Sequence, residues 1–272
     1  MKLRNGESRM IFYFTATGNS LYVAKQLDTN LISIPQVIHN ECLEFEDERI
    51  GIVCPVFGHE VPGMVRAFMQ RAVFKTEYFY MILTYGNRHG GAAELADELA
   101  NSLGIAAAYI NTIRMVDNFL PAFDMDEQRK LDKKVDEHIA EIKADIQKRK
   151  FAVQAATDAD RAAHQEFLSR SPKNTSERFK NLYHITEARI GCGICAKVCP
   201  AGCFHIESGK AVQKDDNCQA CMACIHHCPH KAICLNMPEK NPNARYRNEH
   251  ITLNEIIAAN QQKDSKDEGD RL

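Results

Sequence analysis

Nine of the eleven cysteines lie between Cys192 and Cys234, and their types and spacing could carry chemistry. Residues 218–229 read Cys218-Gln-Ala-Cys221-Met-Ala-Cys224-Ile-His-His-Cys228-Pro229, an uninterrupted C-x2-C-x2-C-x3-C-P run. Counting back 29 residues from each cysteine gives Arg189, Cys192, Cys195 and Cys199, with Pro200 matching Pro229. The run is therefore written twice, with arginine in the first slot of the earlier copy. Two chemistries compete for such thiolates: tetrahedral zinc, which C-x2-C pairs also build, and iron–sulfur cubanes, in which each iron takes one thiolate. The third cysteine at the x2 step, the proline after the fourth and the repetition of the whole run favour iron–sulfur. Two intervening residues let a tight loop wrap three corners of a cube. The x3-C-P step then turns the chain away, with proline fixing φ. Such clusters pass single electrons, so electron transfer is the activity expected of this region.

Composition narrows the setting. At 272 residues the chain has room for one large or two ordinary domains, and 44% hydrophobic residues suffice for real cores. A net charge of −2 gives no ground for a nucleic-acid or membrane surface. No apolar stretch approaches the ~20 residues that span a bilayer, and the short run Met10 to Phe14 lacks the cleavage pattern of a signal peptide. Cysteines crowded into one segment suit metal ligation in a reducing cytoplasm better than a disulfide framework. A cytoplasmic location is therefore expected.

The elements that must position this chemistry are legible by pattern. Arg9 to Thr15, Ile50 to Phe57, Tyr78 to Tyr85 and Ala107 to Met115 are compact apolar strand candidates. Helical patterns follow the first three, from Leu21 to Leu27, Val61 to Val73 and Ala92 to Leu103. This alternation predicts a parallel sheet with helices on both faces. Leu131, Val135, Ile139, Ile142 and Ile146 form a helical stripe read as a cover for one face of the sheet. The spacing divides the chain into an α/β domain over 1–150, a linker over 151–182, a cysteine module over 183–237 and a polar C-terminal tail over 238–272. The linker is expected to be helical at first and irregular around Ser171 to Ser176. The tail has one short apolar helix candidate around Ile251 to Ala258 and a charged end expected to fray.

Three loops of the first domain draw attention. Thr15-Ala16-Thr17-Gly18-Asn19-Ser20 ends the first strand and opens the first helix. The hydroxyls of Thr15, Thr17 and Ser20, with the free N–H groups of a helix start, make a phosphate cradle that needs no lysine. Lack of a cation suits the monophosphate of a flavin better than a triphosphate, although such a turn also serves simply to cap a helix. Pro55 to Pro62, with Phe57, Gly58 and His59, and Thr84 to Gly91, with Thr84, Tyr85 and Gly86, follow the second and third strands. Both lie at carboxyl ends of parallel strands, where open α/β sheets bind ligands.

The segment Gly191-Cys192-Gly193-Ile194-Cys195-Ala-Lys-Val-Cys199-Pro200, together with the second run, resembles a bacterial two-cluster ferredoxin domain over roughly 55 residues. The resemblance implies a small α+β domain of two pseudo-twofold halves. It also implies that each cluster takes three cysteines from one run and one from the other. Cys199, Cys218, Cys221 and Cys224 then make a full set for a 4Fe–4S cluster, and Cys192, Cys195 and Cys228 a set of three. Arg189 has no lone pair to offer in the missing place. A 3Fe–4S cluster, a 4Fe–4S cluster with a substitute ligand, and an empty site all remain open. Cys203 and Cys234 are read as buried core thiols, Cys203 beside the complete set.

The three loops of the first domain resemble a flavodoxin-type FMN site over roughly residues 9–150. That resemblance implies a doubly wound parallel sheet, phosphate at Thr15 to Ser20, and the flavin ring between the second and third loops. The chain has no tryptophan, which leaves Phe57, His59, Tyr85 and His89 as the rings available for stacking. Flavodoxin-like followed by ferredoxin-like domains resembles a family of bacterial fusion proteins. The resemblance implies electron exchange between FMN and iron–sulfur clusters, with redox proteins as partners. Two alternatives stand beside it: a flavin-free docking domain for the ferredoxin part, or a flavin-dependent reductase with His59 and Glu60 as its only acid–base candidates.

Overall fold

A computed structural model describes residues 9–170, 182–213 and 217–261. Six strands form one sheet, with every pairing parallel. In spatial order they are β2 (Leu31–Ser33), β1 (Arg9–Tyr13), β4 (Arg49–Pro55), β6 (Tyr78–Tyr85), β7 (Ala107–Arg114) and β8 (Ala152–Val153). Two further strands, β3 (Glu44–Glu46) and β5 (Val73–Lys75), make a separate parallel pair. Across the main sheet the strands run second, first, third, fourth, fifth and sixth, the arrangement of flavodoxin-like sheets with one added edge strand. The winding direction reverses between β1 and β4, the switch point at which open α/β sheets bind ligands.

Side chains alternate across each strand. Ile11 and Tyr13 enter one core while Phe12 and Phe14 enter the other; Tyr78, Tyr80 and Ile82 oppose Phe79, Met81 and Leu83. Both faces are covered, which is why these strands read as unbroken apolar runs. Helices α1 (Asn19–Leu27) and α6 (Val135–Gln147) supply one core, α3 (Gly63–Arg71) and α4 (Ala92–Ser102) the other. The short helices α2 (Ile34–Val37) and α5 (Met125–Lys130) complete this part. Ile139, Ile142 and Ile146 are buried as the stripe predicts, but Leu131 is not part of it. It follows α5 and stands 50% exposed, and Lys134, at φ 54°, separates the two helices.

The expected linker, 151–182, begins with β8 in the main sheet and continues as helix α7 (Asp158–Arg170). Its irregular stretch, Ser171 to Ser176, lies outside the described residues. The cysteine module runs β9 (Tyr183–Ile185), α8 (Ile194–Lys197), β10 (Phe204–Glu207), β11 (Lys210–Gln213), α9 (Ala223–His227) and β12 (Ile233–Leu235). Strands β9 and β12 pair antiparallel, as do β10 and β11, so two strand–helix–strand halves share two small sheets.

Of the expected polar tail, 238–272, residues 238–261 return to the first domain and end in helix α10 (Leu253–Asn260), and the charged end lies outside the described residues. Thr252 and Glu255 form a reciprocal capping box, and Glu255 also pairs with Lys25 of α1. Lys25, then Thr252, draw the Glu255 pKa from 4.5 to about 2. A carboxylate depressed on folding stabilises the fold above its unfolded pKa and loses that contribution as pH falls through the folded value. Both partners are partly exposed, so screening keeps the effect small. Glu255→Gln is expected to cost about 1 kcal/mol near neutrality. The gap from the parent should close progressively between pH 4.5 and 2; urea melts at neutral and acidic pH that show a constant gap would refute the assignment.

Candidate functional site

The two cysteine runs repeat in backbone as well as in sequence. Gly191, Gly193 and Gly202 have φ of 69°, 75° and 65°, and the residues 29 positions later, Ala220, Met222 and Lys231, have φ of 51°, 60° and 49°. In each half, Cys–Pro is followed by the same N–H···S bond: Cys203 N donates to Cys199 Sγ at 3.2 Å and Ala232 N to Cys228 Sγ at 3.2 Å. Donors aimed at sulfur stabilise the thiolate form that metals require. The second half holds non-glycine residues in the left-handed region, at a cost of about 1–2 kcal/mol each. Lys231 is exposed, so Lys231→Gly is expected to stabilise the chain by about 0.5 kcal/mol after glycine's entropic cost. A urea midpoint that fails to rise would contradict this.

The thiols gather in two neighbourhoods. Burial raises the Cys224 pKa, and Cys221, Cys199 and Cys218 raise it further; Cys221 responds to burial, Cys199 and Cys218. Cys195 is pushed up to about 11 by burial, with Cys192 and Cys228 adding to it. Cys199 and Cys218 thus neighbour Cys221 and Cys224, and Cys192, Cys195 and Cys228 line one cavity; among the described residues no three side chains already surround a single metal position. Cys203 is 1% exposed beside the first group, and its thiol hydrogen-bonds lower the pKa of Cys199 and Cys218. Tyr183 Oη also lies 3.8 Å from Cys218 Sγ. Cys234 does not belong to the core as expected. It is partly exposed because it pairs with His184 on the outer face of β12, while Ile233 and Leu235 point inward.

The group of four lies against the first domain. Cys221 packs on both cores of the sheet, and Gln219 Oε1 accepts from Met64 N in the first turn of α3 at 2.8 Å. His226 accepts from Tyr246 N through Nδ1 at 3.1 Å, so its Nε2–H donates to Asn118 O at 2.9 Å. Burial lowers the His226 pKa to about 3, in keeping with this neutral form. Asn118 in turn donates through Nδ2 to Thr17 Oγ1 at 2.7 Å, linking the cysteine module to the loop after β1. The group of three lies further out, and Cys192 is exposed.

The loop Thr15 to Ser20 is buried and held by its own hydroxyls. Thr15, Thr17 and Ser20 are buried, Gly18 has φ 103°, and Ser20 Oγ meets Thr84 Oγ1 at 2.8 Å, joining the first loop to the third. The backbone N–H groups of Thr17, Asn19 and Ser20 have no hydrogen-bond partner among the described residues, and such first-turn donors are the groups that hold phosphate. The C-terminal segment frames this loop. Asn248 N donates to Thr17 O at 2.8 Å, Tyr246 Oη to Asn19 Oδ1 at 2.7 Å, and Asn260 Nδ2 to both Thr15 O and Val198 O.

The ring end is different. Helix α7 lies over the second and third loops: Phe167 packs on Gly58, the His59 ring is 5.2 Å from Phe167 and 5.6 Å from His164, and Asp160 reaches His89 at 3.5 Å. Tyr85 stacks edge-on with His89 at 5.0 Å, Phe57 meets Phe14 at 6.2 Å, and Asp117 abuts Gly86. Glu60 is tied to Arg66 at 2.6 Å. The chain's own side chains thus cover the second and third loops, where the flavin ring was expected. The sequence reading missed α7 as a cover because its polar pattern buries only His164. It also missed the roles of Tyr246, Asn248 and Asn260, whose work is hydrogen bonding rather than apolar burial.

Comparison with known proteins agrees with the cysteine module. Residues 182–229 match the family described as 4Fe-4S dicluster domain. The chain is 46% identical over 44 residues to one component of an ion-translocating oxidoreductase complex of Methanosarcina acetivorans, a match that spans 16% of this chain and only 17% of that relative. It is 42% identical over 43 residues to a ferredoxin of Methanothermococcus thermolithotrophicus, which is 15% of this chain and 72% of that protein. Through this module the chain belongs to the ferredoxins of the 4Fe-4S dicluster type. Among the described residues, no helix is long and apolar enough to cross a membrane.

Proposed function

We propose that the chain is an electron-transfer protein in which Cys199, Cys218, Cys221 and Cys224 hold a 4Fe–4S cluster beside an FMN-binding loop. The observation that carries this reading is the nearness of these four thiols, Cys199 and Cys224 buried and Cys218 and Cys221 half-buried, on a module that packs on the sheet and is joined through His226 and Asn118 to Thr17. The cluster supplies one-electron transfer; FMN, when bound, supplies storage for one or two electrons. The chain's own residues do the rest. Cys203 N–H and Tyr183 stand beside the thiolates, Gln219 fixes the module to α3, and the amides of Thr17, Asn19 and Ser20 with the Thr15, Thr17 and Ser20 hydroxyls receive the phosphate. The exposed Cys192 side faces outward, where a redox protein partner would dock.

A second reading keeps the cluster and omits the flavin, leaving the first domain as a docking platform. The packing of Phe167 and His164 over the second and third loops favours it. Iron, sulfide and FMN analysis of the full chain purified without oxygen decides between them. Flavin bands over a broad iron–sulfur absorbance are expected from the first reading, and the absorbance alone from the second. A colourless or zinc-bearing protein would overturn both.

A further inference from the structure

We infer that Cys192, Cys195 and Cys228 hold a three-iron cluster, 3Fe–4S, whose open corner is closed by Arg189, with Nε–H donating to a cluster sulfide. The inference rests on the iron–sulfur reading above and concerns only the second site.

Arg189 stands where the backbone repeat places the counterpart of Cys218. It lines one cavity with Cys192, Cys195 and Cys228. Its side chain is 19% exposed and held at the outer end: Nη2 pairs with Glu187 Oε1 at 3.1 Å and Nη1 donates to Thr186 O at 3.4 Å. The turn that carries it is closed by Arg189 N to Thr186 O and Ala188 N to Thr186 Oγ1, both at 3.3 Å. Nε, by contrast, is buried and has no hydrogen-bond partner among the described residues. A buried charged donor left unmatched is costly, and a sulfide on the cavity side would satisfy it.

The chemistry also argues against a fourth iron. Guanidinium has no lone pair and does not deprotonate in proteins, so it offers no ligand and repels a cation at that corner. Substitutes are poorly placed. Cys203 belongs to the other group of thiols and Cys234 faces outward on β12. His230 is the remaining candidate on the cavity wall, and it is exposed. A cation and a hydrogen bond beside a cluster stabilise its reduced state and raise its potential.

The test uses the full chain, made and reconstituted with iron and sulfide without oxygen, and read by iron content and by EPR after mild oxidation. Under these conditions a three-iron cluster is paramagnetic and a resting four-iron cluster is silent. The parent is expected to hold about seven irons and show the three-iron signal. Arg189→Cys should raise iron to about eight and abolish the signal, while His230→Ala should change neither. Arg189→Leu, which supplies a readout should the cysteine variant misfold, should keep the signal but shift its potential negative. Eight irons without the signal in the parent, a fall in iron on His230→Ala, or an unshifted potential in Arg189→Leu would overturn the inference. A parent with a single four-iron cluster would also overturn it while leaving the complete site intact; a parent without iron would remove the reading on which both stand.

Discussion

Cys224→Ala is expected to strip about four irons from each chain, whereas Cys228→Ala should leave the four-iron cluster in place. The asymmetry follows from where the two groups of thiols sit. Cys224 is 5% exposed and shares its core with Tyr183, Phe204 and Ile225. Its neighbour Cys221 packs on both cores of the sheet, and Gln219, between Cys218 and Cys221, bonds the first turn of α3. A metal group bound only by the folded chain adds its binding free energy to folding. Removing one thiolate here should therefore loosen the seam between the modules as well as the cluster. Iron analysis and urea melts of the two variants provide the check. A three-iron EPR signal lost in Cys224→Ala and kept in Cys228→Ala would mean that the thiols are not partitioned into these two groups.

Gly191→Ala should unfold the first half of the cysteine module. A methyl at this position would lie 2.0 Å from Gly209 O, a backbone atom in the turn between β10 and β11, and φ is 69°. The left-handed penalty and the forced displacement of a turn together amount to roughly 2–5 kcal/mol. The chain contains its own control. Ala220, the residue 29 positions later, has φ 51° and already carries a methyl group. Ala220→Gly should accordingly stabilise slightly, as expected for Lys231→Gly. Thermal melts in which Gly191→Ala costs no more than the left-handed penalty of about 1–2 kcal/mol would mean that conformation alone, not the approach of Gly209, governs the site.

Much of this architecture was legible because burial on both faces leaves a mark. The run Tyr78 to Tyr85 coincides with β6, and the 29-residue offset of the cysteine runs reappears as a repeat of left-handed backbone positions. Strands of two or three residues such as β2, β3, β5 and β8 left no periodic trace, because pairing rather than composition defines them. Leu131 was misread because Lys134 takes a left-handed turn that helical spacing cannot reveal. The cover formed by α7 and the C-terminal asparagines went unseen for a related reason. His164, Asn248 and Asn260 are polar residues buried by tertiary contact, and a polar stretch carries no sign of what it will touch.

The last of these features bears on how the protein is made. Asn248 and Asn260 bond the carbonyls of Thr17 and Thr15, yet the ribosome delivers them about 230 residues after that loop. At 5–20 residues per second, the nascent first domain spends roughly 10–45 s without this strap. During that interval the Thr15 and Thr17 carbonyls lack these two partners. Emergence of the asparagine-bearing segment then supplies both, so the loop after the first strand is among the last parts of the fold to reach its final bonding.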